Sequence, residues 1–211
     1  ALGYKLKPVN QAIHEAGLGP EGNLYHSIRG SKILTKLKAP GTMNNRWLTE
    51  DIPYGIAILA SLAKNCGHQV QVYDANAWRR TDNVLKQVCM ADSWDVIAVG
   101  GLTTTYGYIK KTVKIARLNS PKSLIIVGGG FITSMPHEIM EWLPMIDLGI
   151  IGEAFVTWKI VLEKIDSGDL DFSKTLGVIW REKTGGSVLN DTRPIIPDLD
   201  VLPYPAWDLF P

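Results

Sequence analysis

In the stretch Asp95-Val-Ile-Ala-Val-Gly-Gly-Leu-Thr-Thr-Thr-Tyr106, an apolar segment of strand length runs directly into a loop that has almost no side-chain bulk. The stretch Ser123-Leu-Ile-Ile-Val-Gly-Gly-Gly-Phe131 repeats this pattern. Short apolar runs that end in glycine and lead into helical segments are typical of parallel strands in an α/β sheet. The two loops therefore predict a cleft at the carboxyl edge of such a sheet, where bare backbone lets a flat or nucleotide-like ligand approach closely.

Strands and helices alternate five times along the chain. The predicted strands are 33–38, 69–73, 95–99, 124–127 and 145–151, and the predicted helices are 53–67, 81–91, 108–118, 136–142 and 157–167. Alternation with elements of these lengths implies right-handed crossovers between parallel strands, with helices on both faces of the sheet. The sequence thus predicts an α/β fold with a five-stranded parallel sheet.

The pattern changes outside residues 31–170, which hold these five units. Residues 1–30 show weak periodicity and are predicted to be an irregular N-terminal extension. Residues 171–192 contain two short apolar runs around a Lys-Thr-Gly-Gly turn and predict a β-hairpin. Residues 193–211 are rich in proline and aromatic residues, which indicates a semi-extended linker toward another domain.

Composition excludes several classes of protein. With 211 residues, 45% hydrophobic and 20% charged, the chain is typical of a soluble globular domain. The net charge of +1 gives no reason to expect a nucleic acid or an anionic membrane as partner. No apolar run approaches the roughly 20 residues of a membrane helix, and no secretory signal is visible. Cys66 and Cys89 are too far apart for a metal knuckle, so buried thiols in a reducing cytoplasm are expected.

An ordered set of motifs resembles a known family. It comprises Pro53-Tyr-Gly-Ile-Ala-Ile-Leu-Ala60, Cys66-Gly-His-Gln-Val-Gln-Val-Tyr-Asp-Ala75, the two glycine loops, Ile151-Gly-Glu153, and Leu199-Asp-Val-Leu-Pro-Tyr-Pro-Ala-Trp-Asp-Leu209. Together these resemble the N-terminal cobalamin-binding domain of cobalamin-dependent radical S-adenosylmethionine enzymes, from about residue 33 to the C-terminus. The resemblance implies a flavodoxin-like (Rossmann-like) sheet and cobalamin as the cofactor of residues 31–170.

The resemblance also assigns cofactor-binding positions. It places Tyr54 and Gly55 near the corrin edge, and Asp74 and Ala75 on the loop after the second strand. It places Gly101, Leu102, Thr103, Thr104, Thr105 and Tyr106 against the lower face and tail, Gly128, Gly129 and Gly130 beside the benzimidazole, and Gly152, Glu153 and Ala154 at the ribose-phosphate end. All of these positions follow strands of the predicted sheet, at the edge where open α/β sheets bind ligands. No catalytic residue and no protein ligand for a metal is predicted.

The chain departs from the family in its histidines. Many cobalamin-binding domains carry Asp-x-His-x-x-Gly after the first strand, and that histidine replaces the benzimidazole on cobalt. Here residues 39–52 contain no histidine. The resemblance therefore implies base-off cobalamin whose lower face meets Leu102 or a weak oxygen donor, a state that eases cycling between cobalt(I) and methylcobalt(III) and suits methyl transfer.

A second departure concerns the iron-sulfur cluster. The radical domain needs the motif C-x-x-x-C-x-x-C, but this chain has two remote cysteines. The [4Fe-4S] cluster and S-adenosylmethionine are therefore expected only in an absent radical domain, in the same parent chain or in a separate polypeptide. The parent enzyme is expected to be of the methyltransferase or cyclase type.

Several alternatives stay open at this point. The Thr103–Thr105 run serves as a helix cap with or without a ligand contact, and Glu153 and Asp74 are equally readable as turn residues. A domain of the same fold that has lost the cofactor would act as a docking or substrate-recognition module. A flavodoxin-like mononucleotide protein would need a phosphate-binding loop after the first strand, which Ala39-Pro-Gly-Thr-Met43 matches poorly.

Overall fold

The computed structural model describes residues 32–37, 53–74 and 81–210. Seven strands form one sheet: β1 (Lys32–Leu37), β2 (Gln69–Asp74), β3 (Val96–Gly100), β4 (Leu124–Gly128), β5 (Leu148–Ile150), β6 (Val178–Arg181) and β7 (Ser187–Leu189). The six α-helices in the described residues are α1 (Tyr54–Asn65), α2 (Asp82–Met90), α3 (Tyr106–Asn119), α4 (Gly130–Ser134), α5 (Pro136–Trp142) and α6 (Phe155–Ser167).

The order of strands in the sheet is β2-β1-β3-β4-β5-β6-β7. Strands β1 to β5 are parallel, whereas β6 and β7 are antiparallel additions. The predicted five-stranded parallel sheet is confirmed, and the predicted hairpin extends it. The order β2-β1-β3-β4-β5 is that of flavodoxin-like folds, in which the chain reverses its winding direction between β1 and β3. The carboxyl ends of these two strands therefore flank the place where such folds bind ligands.

Two apolar cores lie on opposite faces of the sheet. Helices α2 to α5 cover one face through residues such as Val113, Phe131 and Met140, all buried. Helices α1 and α6 cover the other face through Ala57, Ala60, Trp158 and Val161, again buried. The helices on both faces agree with the prediction, because each β-α-β crossover brings a helix back over the sheet.

The element boundaries differ from the predicted ones mainly around β4 and β5. A short helix, α4, begins directly at Gly130, where a loop was expected, because Phe131 and Ile132 turn into the core. Strand β5 is shorter than predicted, since Asp147 leaves the strand pattern and its carboxylate accepts hydrogen bonds from Arg117 and from the backbone N–H of Ile125. Neither change moves the carboxyl edge of the sheet.

The C-terminal segment folds back onto the domain. Ala206, Leu209 and Phe210 are buried in the core that lies beneath α1 and α6. The backbone N–H of Ala206 donates to the carbonyl of Ala57 at 3.0 Å. Residues 206–210 are therefore packed against α1, and a connecting role for residues 193–211 stays a prediction.

Candidate cofactor-binding site

The ends of β3, β4 and β5 lie side by side at the carboxyl edge. Gly100 is paired with Gly128, and Gly128 is paired with Ile150. The loops that follow these three strands hold most of the predicted site residues, and α1 begins at the same edge with Tyr54 and Gly55. The structure thus brings the predicted positions together at one edge, except Ala75, which lies outside the described residues.

Close packing explains why two of the loop residues are glycines. Gly129 has φ of +101°, and a Cβ there would lie 2.5 Å from the carbonyl oxygen of Gly101. A Cβ on Gly101 would lie 2.6 Å from Cδ1 of Ile109. The N–H of Gly101 also donates to the carbonyl of Gly128 at 3.3 Å. The loops after β3 and β4 are therefore in close contact. The fold itself requires glycine at position 129, and a side chain at Gly101 would force Ile109 to shift.

Gly128 has no such structural reason to be glycine. Its φ is not positive, and among the described residues no heavy atom lies within 4 Å of a Cβ built at this position. By strand alternation its missing side chain belongs to the face that carries Ile126 and Ile150, which is the face of α1 and α6. The open space that the described residues leave at this point is here called the Gly128 slot.

Helix α1 is set against the neighbouring strand by another glycine. A Cβ on Gly100 would lie 3.0 Å from Cδ1 of Ile56, so the first turn of α1 packs directly on the end of β3. Ile56 was not among the predicted site residues, because its approach to β3 depends on packing between distant segments. Ile56 thus lies between α1 and the Gly128 slot, next to the exposed Tyr54.

The three threonines after β3 differ in their hydrogen bonds and exposure. The hydroxyl of Thr105 accepts a hydrogen bond from the N–H of Leu102 at 3.1 Å and donates to the carbonyl of Leu102 at 2.8 Å. Thr105 is therefore a cap for the turn that leads into α3. Thr103 and Thr104 are exposed, and their contact with a ligand stays a prediction.

Leu102 is an apolar residue left open to solvent at the carboxyl edge. Its side chain is 61% exposed, and its Cδ2 would lie 3.5 Å from a Cβ on Gly130. An exposed leucine next to two glycine loops offers a flat ligand apolar contact and no atom that could coordinate a metal.

The acidic candidates are engaged within the protein or buried. The Glu153 carboxylate accepts a hydrogen bond from the N–H of Ile196 at 3.3 Å. Asp74 ends β2 and is 4% exposed. Gly152 has φ of +71° and donates its N–H to the hydroxyl of Thr133 at 3.0 Å, a contact that ties the loop after β5 to α4. The ligand contacts of Glu153, Asp74 and Ala154 stay predictions.

The histidines of the described residues lie away from the glycine loops. In the described residues there is no group of three or more His, Cys, Asp or Glu side chains that could hold a metal ion. His68 is fully buried at the start of β2, at the opposite edge of the sheet, and His137 is exposed in α5. Among the described residues, neither histidine belongs to the glycine loops. The arrangement can accept a flat, uncharged group and shape its surroundings.

Comparison with known proteins agrees with this geometry. The B12 binding domain model matches residues 49–161. A second model, the alpha-helical domain of NAD/NADP octopine/nopaline dehydrogenases, matches residues 1–77. Within that second range, however, residues 32–37 and 69–74 form parallel strands, which an α-helical domain does not contain.

Two curated relatives share about three quarters of this chain. An uncharacterized methyltransferase of Pyrococcus horikoshii is 28% identical over 160 residues, covering 75% of this chain and 34% of the relative. The anaerobic magnesium-protoporphyrin IX monomethyl ester cyclase of Synechocystis is 26% identical over 160 residues, covering 74% of this chain and 31% of the relative. The chain thus spans about a third of the length of these relatives.

Solved structures share the fold. The cobalamin-dependent S-adenosylmethionine radical enzyme OxsB, with aqua-cobalamin and S-adenosylmethionine bound, superposes with a TM-score of 0.67 at 16% identity. The match covers 85% of this chain and 24% of OxsB. OxsB with aqua-cobalamin alone gives the same TM-score at 17% identity. The resemblance noted from the sequence motifs is confirmed.

Proposed function

The chain belongs to the B12 binding domain family, and we propose that it binds cobalamin across the carboxyl edge of its parallel sheet, with the cofactor's tail in the Gly128 slot. The observation that carries this proposal is the open space at Gly128, which neither backbone conformation nor packing explains. A glycine kept where the fold would accept a side chain is what a ligand in contact with the backbone requires. The neighbouring loops stay rigid through their own interlocked glycines.

We further propose that the cobalt receives no histidine from this domain. Residues 39–52 contain no histidine, and the exposed side chain of Leu102, beside the glycine loops, is apolar. When bound without a strong axial donor, cobalamin supplies methyl-transfer chemistry. The role of this chain's own residues is to hold the tail, to cover the lower face with apolar side chains, and to exclude water from it.

The reaction itself is proposed to need a radical S-adenosylmethionine domain outside residues 1–211. The names of the relatives, a methyltransferase and a cyclase, support an enzyme of one of these two types. S-adenosylmethionine and the iron-sulfur cluster would be held by that partner domain, because this chain has only two cysteines.

The cellular setting is proposed to be the cytoplasm. Cys66, which follows the last residue of α1, and Cys89, which lies in α2, form no disulfide. Burial raises the pKa of the Cys66 thiol, which keeps it in its less reactive protonated form. In the described residues, no helix has the length and apolar character needed to cross a bilayer.

The test is reconstitution of the full chain. The protein is mixed with hydroxocobalamin without oxygen and desalted, and the visible absorption of the protein fraction is recorded, with hydroxocobalamin alone on the same column as control. We expect about one corrinoid per chain and a spectrum without nitrogen ligation from below. A folded chain that retains no chromophore would refute cobalamin binding and favour the cofactor-free docking module, whereas a retained corrinoid with the nitrogen-ligated spectrum would refute the base-off state alone.

A further inference from the structure

Residues 193–207, here called the rim strap, cross the carboxyl edge of the sheet and have no role in the site described so far. One end is attached to the start of α6. Arg193 donates from Nε to the hydroxyl of Thr157 at 2.8 Å, and the N–H of Ile196 donates to Glu153, just before α6. The strap therefore leaves the sheet beside one of the predicted cofactor-binding positions.

The other end of the rim strap is attached to α1. The backbone of Ala206 is bonded to Ala57 in the first turns of that helix. Immediately after the strap, Asp208 forms a 2.8 Å ion pair with Lys64, and Leu209 and Phe210 are buried against the same core. Because α1 and α6 both begin at the carboxyl edge, the strap runs along that edge between them, on the sheet face to which the Gly128 slot opens.

Large apolar side chains of the rim strap are exposed between these two attachments. Leu199 is 59% exposed, Val201 67% and Tyr204 92%. At the α1 end, the rings of Trp207 and Tyr54 meet edge to face with centroids 5.5 Å apart, although Trp207 is still 46% exposed and Tyr54 60% exposed. Aromatic rings that are fixed by contacts within the protein but remain exposed to solvent are typical of binding surfaces.

The position of the aromatic pair identifies its occupant. Tyr54 is the first residue of α1, and Ile56, two residues later, packs on the end of β3 beside the Gly128 slot. A ligand whose tail fills the slot must extend outward past this corner, so its larger part comes against the aromatic pair. The pair is uncharged and flat and carries a Tyr O–H and a Trp N–H, which suits a macrocycle edged by methyl and amide groups rather than a phosphate or an acidic peptide.

We propose, resting on the proposed function, that the rim strap is a wall of the cofactor site and that the Trp207–Tyr54 pair contacts the corrin macrocycle. Trp207 is then a binding residue supplied by the proline-rich C-terminal segment rather than by a loop of the parallel sheet. The ion pair of Lys64 with Asp208 and the buried Leu209 and Phe210 hold it at the edge before the cofactor arrives.

The experiment compares wild type with W207A, W207F and the surface control L170A in the full chain. Leu170 lies beyond the C-terminal end of α6, away from the carboxyl edge, and is 49% exposed. For each protein, hydroxocobalamin affinity is measured by anaerobic absorption titration, and the melting temperature is measured without cofactor. Hydrogen exchange of residues 199–207 in the wild type is followed with and without hydroxocobalamin.

We expect W207A to weaken hydroxocobalamin binding about tenfold or more, because a buried aromatic contact is among the strongest in an interface. W207F should lose less, L170A should bind as wild type, and hydroxocobalamin should slow exchange in residues 199–207. If W207A does not fold, the affinity of W207F and the hydrogen exchange of the wild type test the proposal instead. Equal affinity of W207A and wild type, with exchange unchanged, would overturn the rim-strap proposal and leave cobalamin binding standing. Failure of the wild type to retain hydroxocobalamin would instead overturn the proposed function.

Discussion

Replacing Gly128 by alanine tests whether glycine at this position serves ligand binding or the stability of the fold. At this position a methyl group meets no heavy atom within 4 Å, and the backbone is not in the left-handed region. The fold should therefore accept the substitution. If the cofactor tail contacts the Gly128 backbone, the substitution should weaken binding, because the added methyl group occupies the space that the tail needs.

The substitution should raise the free energy of unfolding and lower the affinity for hydroxocobalamin. Glycine-to-alanine changes at compatible positions stabilise a protein by about 0.4–1 kcal/mol, through the unfolded chain. Forcing an extra methyl group into a filled site costs about 1–3 kcal/mol, which corresponds to about fivefold to more than a hundredfold weaker binding. The variant should thus melt slightly higher without cofactor and bind hydroxocobalamin much more weakly.

Two other glycines serve as controls. G129A places alanine at φ of +101° and 2.5 Å from the carbonyl oxygen of Gly101, so backbone strain alone costs about 1–3 kcal/mol and lowers the melting temperature by about 2–12 °C. G186A lies in the turn between β6 and β7, at the opposite edge of the sheet, and its nearest atom would be 3.8 Å away. G186A should therefore stabilise the protein about as much as G128A does, and it should leave hydroxocobalamin binding unchanged.

The assay combines thermal unfolding without cofactor with anaerobic titration by hydroxocobalamin for all four proteins. The reasoning is refuted if G128A unfolds like wild type and binds hydroxocobalamin with wild-type affinity. In that case the open space at Gly128 is not where the ligand sits. A large loss of stability in G128A would instead contradict the packing of the slot.

Two further predictions concern histidine. L102H places an imidazole beside the glycine loops, so the spectrum of bound cobalamin should change to that of nitrogen-ligated cobalt. The control L102Q should not produce this change. An unaltered spectrum in L102H would contradict the proposal that the lower face of cobalamin lies against residue 102. Burial, opposed by Asp166 and Asp95, lowers the pKa of His68 from its usual 6.5, so the neutral form is favoured in the folded state. The stability that neutral His68 contributes is complete above about pH 6.5 and is lost as the pH falls through the lowered pKa. The melting temperature should therefore drop more steeply below about pH 6.5 in wild type than in H68Q, and parallel curves would contradict the assignment.

The sequence predicts the parallel sheet well because local signals agree with tertiary packing. Val96–Val99 and Leu124–Val127 are buried on both faces, as expected of central parallel strands, and glycine marks where each strand ends. The addition of β6 and β7 to that sheet could not be predicted, because a hairpin signal specifies its own turn and not the strand it joins.

The site is predictable only in outline. Alternation of strands and helices places the loops at one edge, but the rim strap depends on contacts such as the ion pair of Lys64 with Asp208, 144 positions apart in the chain. A proline-rich segment signals extended backbone and carries no information on where that backbone lies. For this reason the sequence predicts only a semi-extended linker for residues 193–211 and does not place Trp207 at the edge.

The glycines of the carboxyl edge show why a glycine-rich loop is an ambiguous signal. Gly129 is required by its backbone conformation and Gly101 is tightly packed against Ile109, so contacts within the protein explain both glycines even in a domain that binds nothing. Gly128 has room for a side chain among the described residues, and the proposed ligand gives a reason for its absence. Proteins of this fold that have lost the cofactor should therefore keep glycine at the first two positions and accept larger residues at the third. We therefore expect glycine at position 128, rather than the run of three, to distinguish a binding domain from a docking module of the same fold.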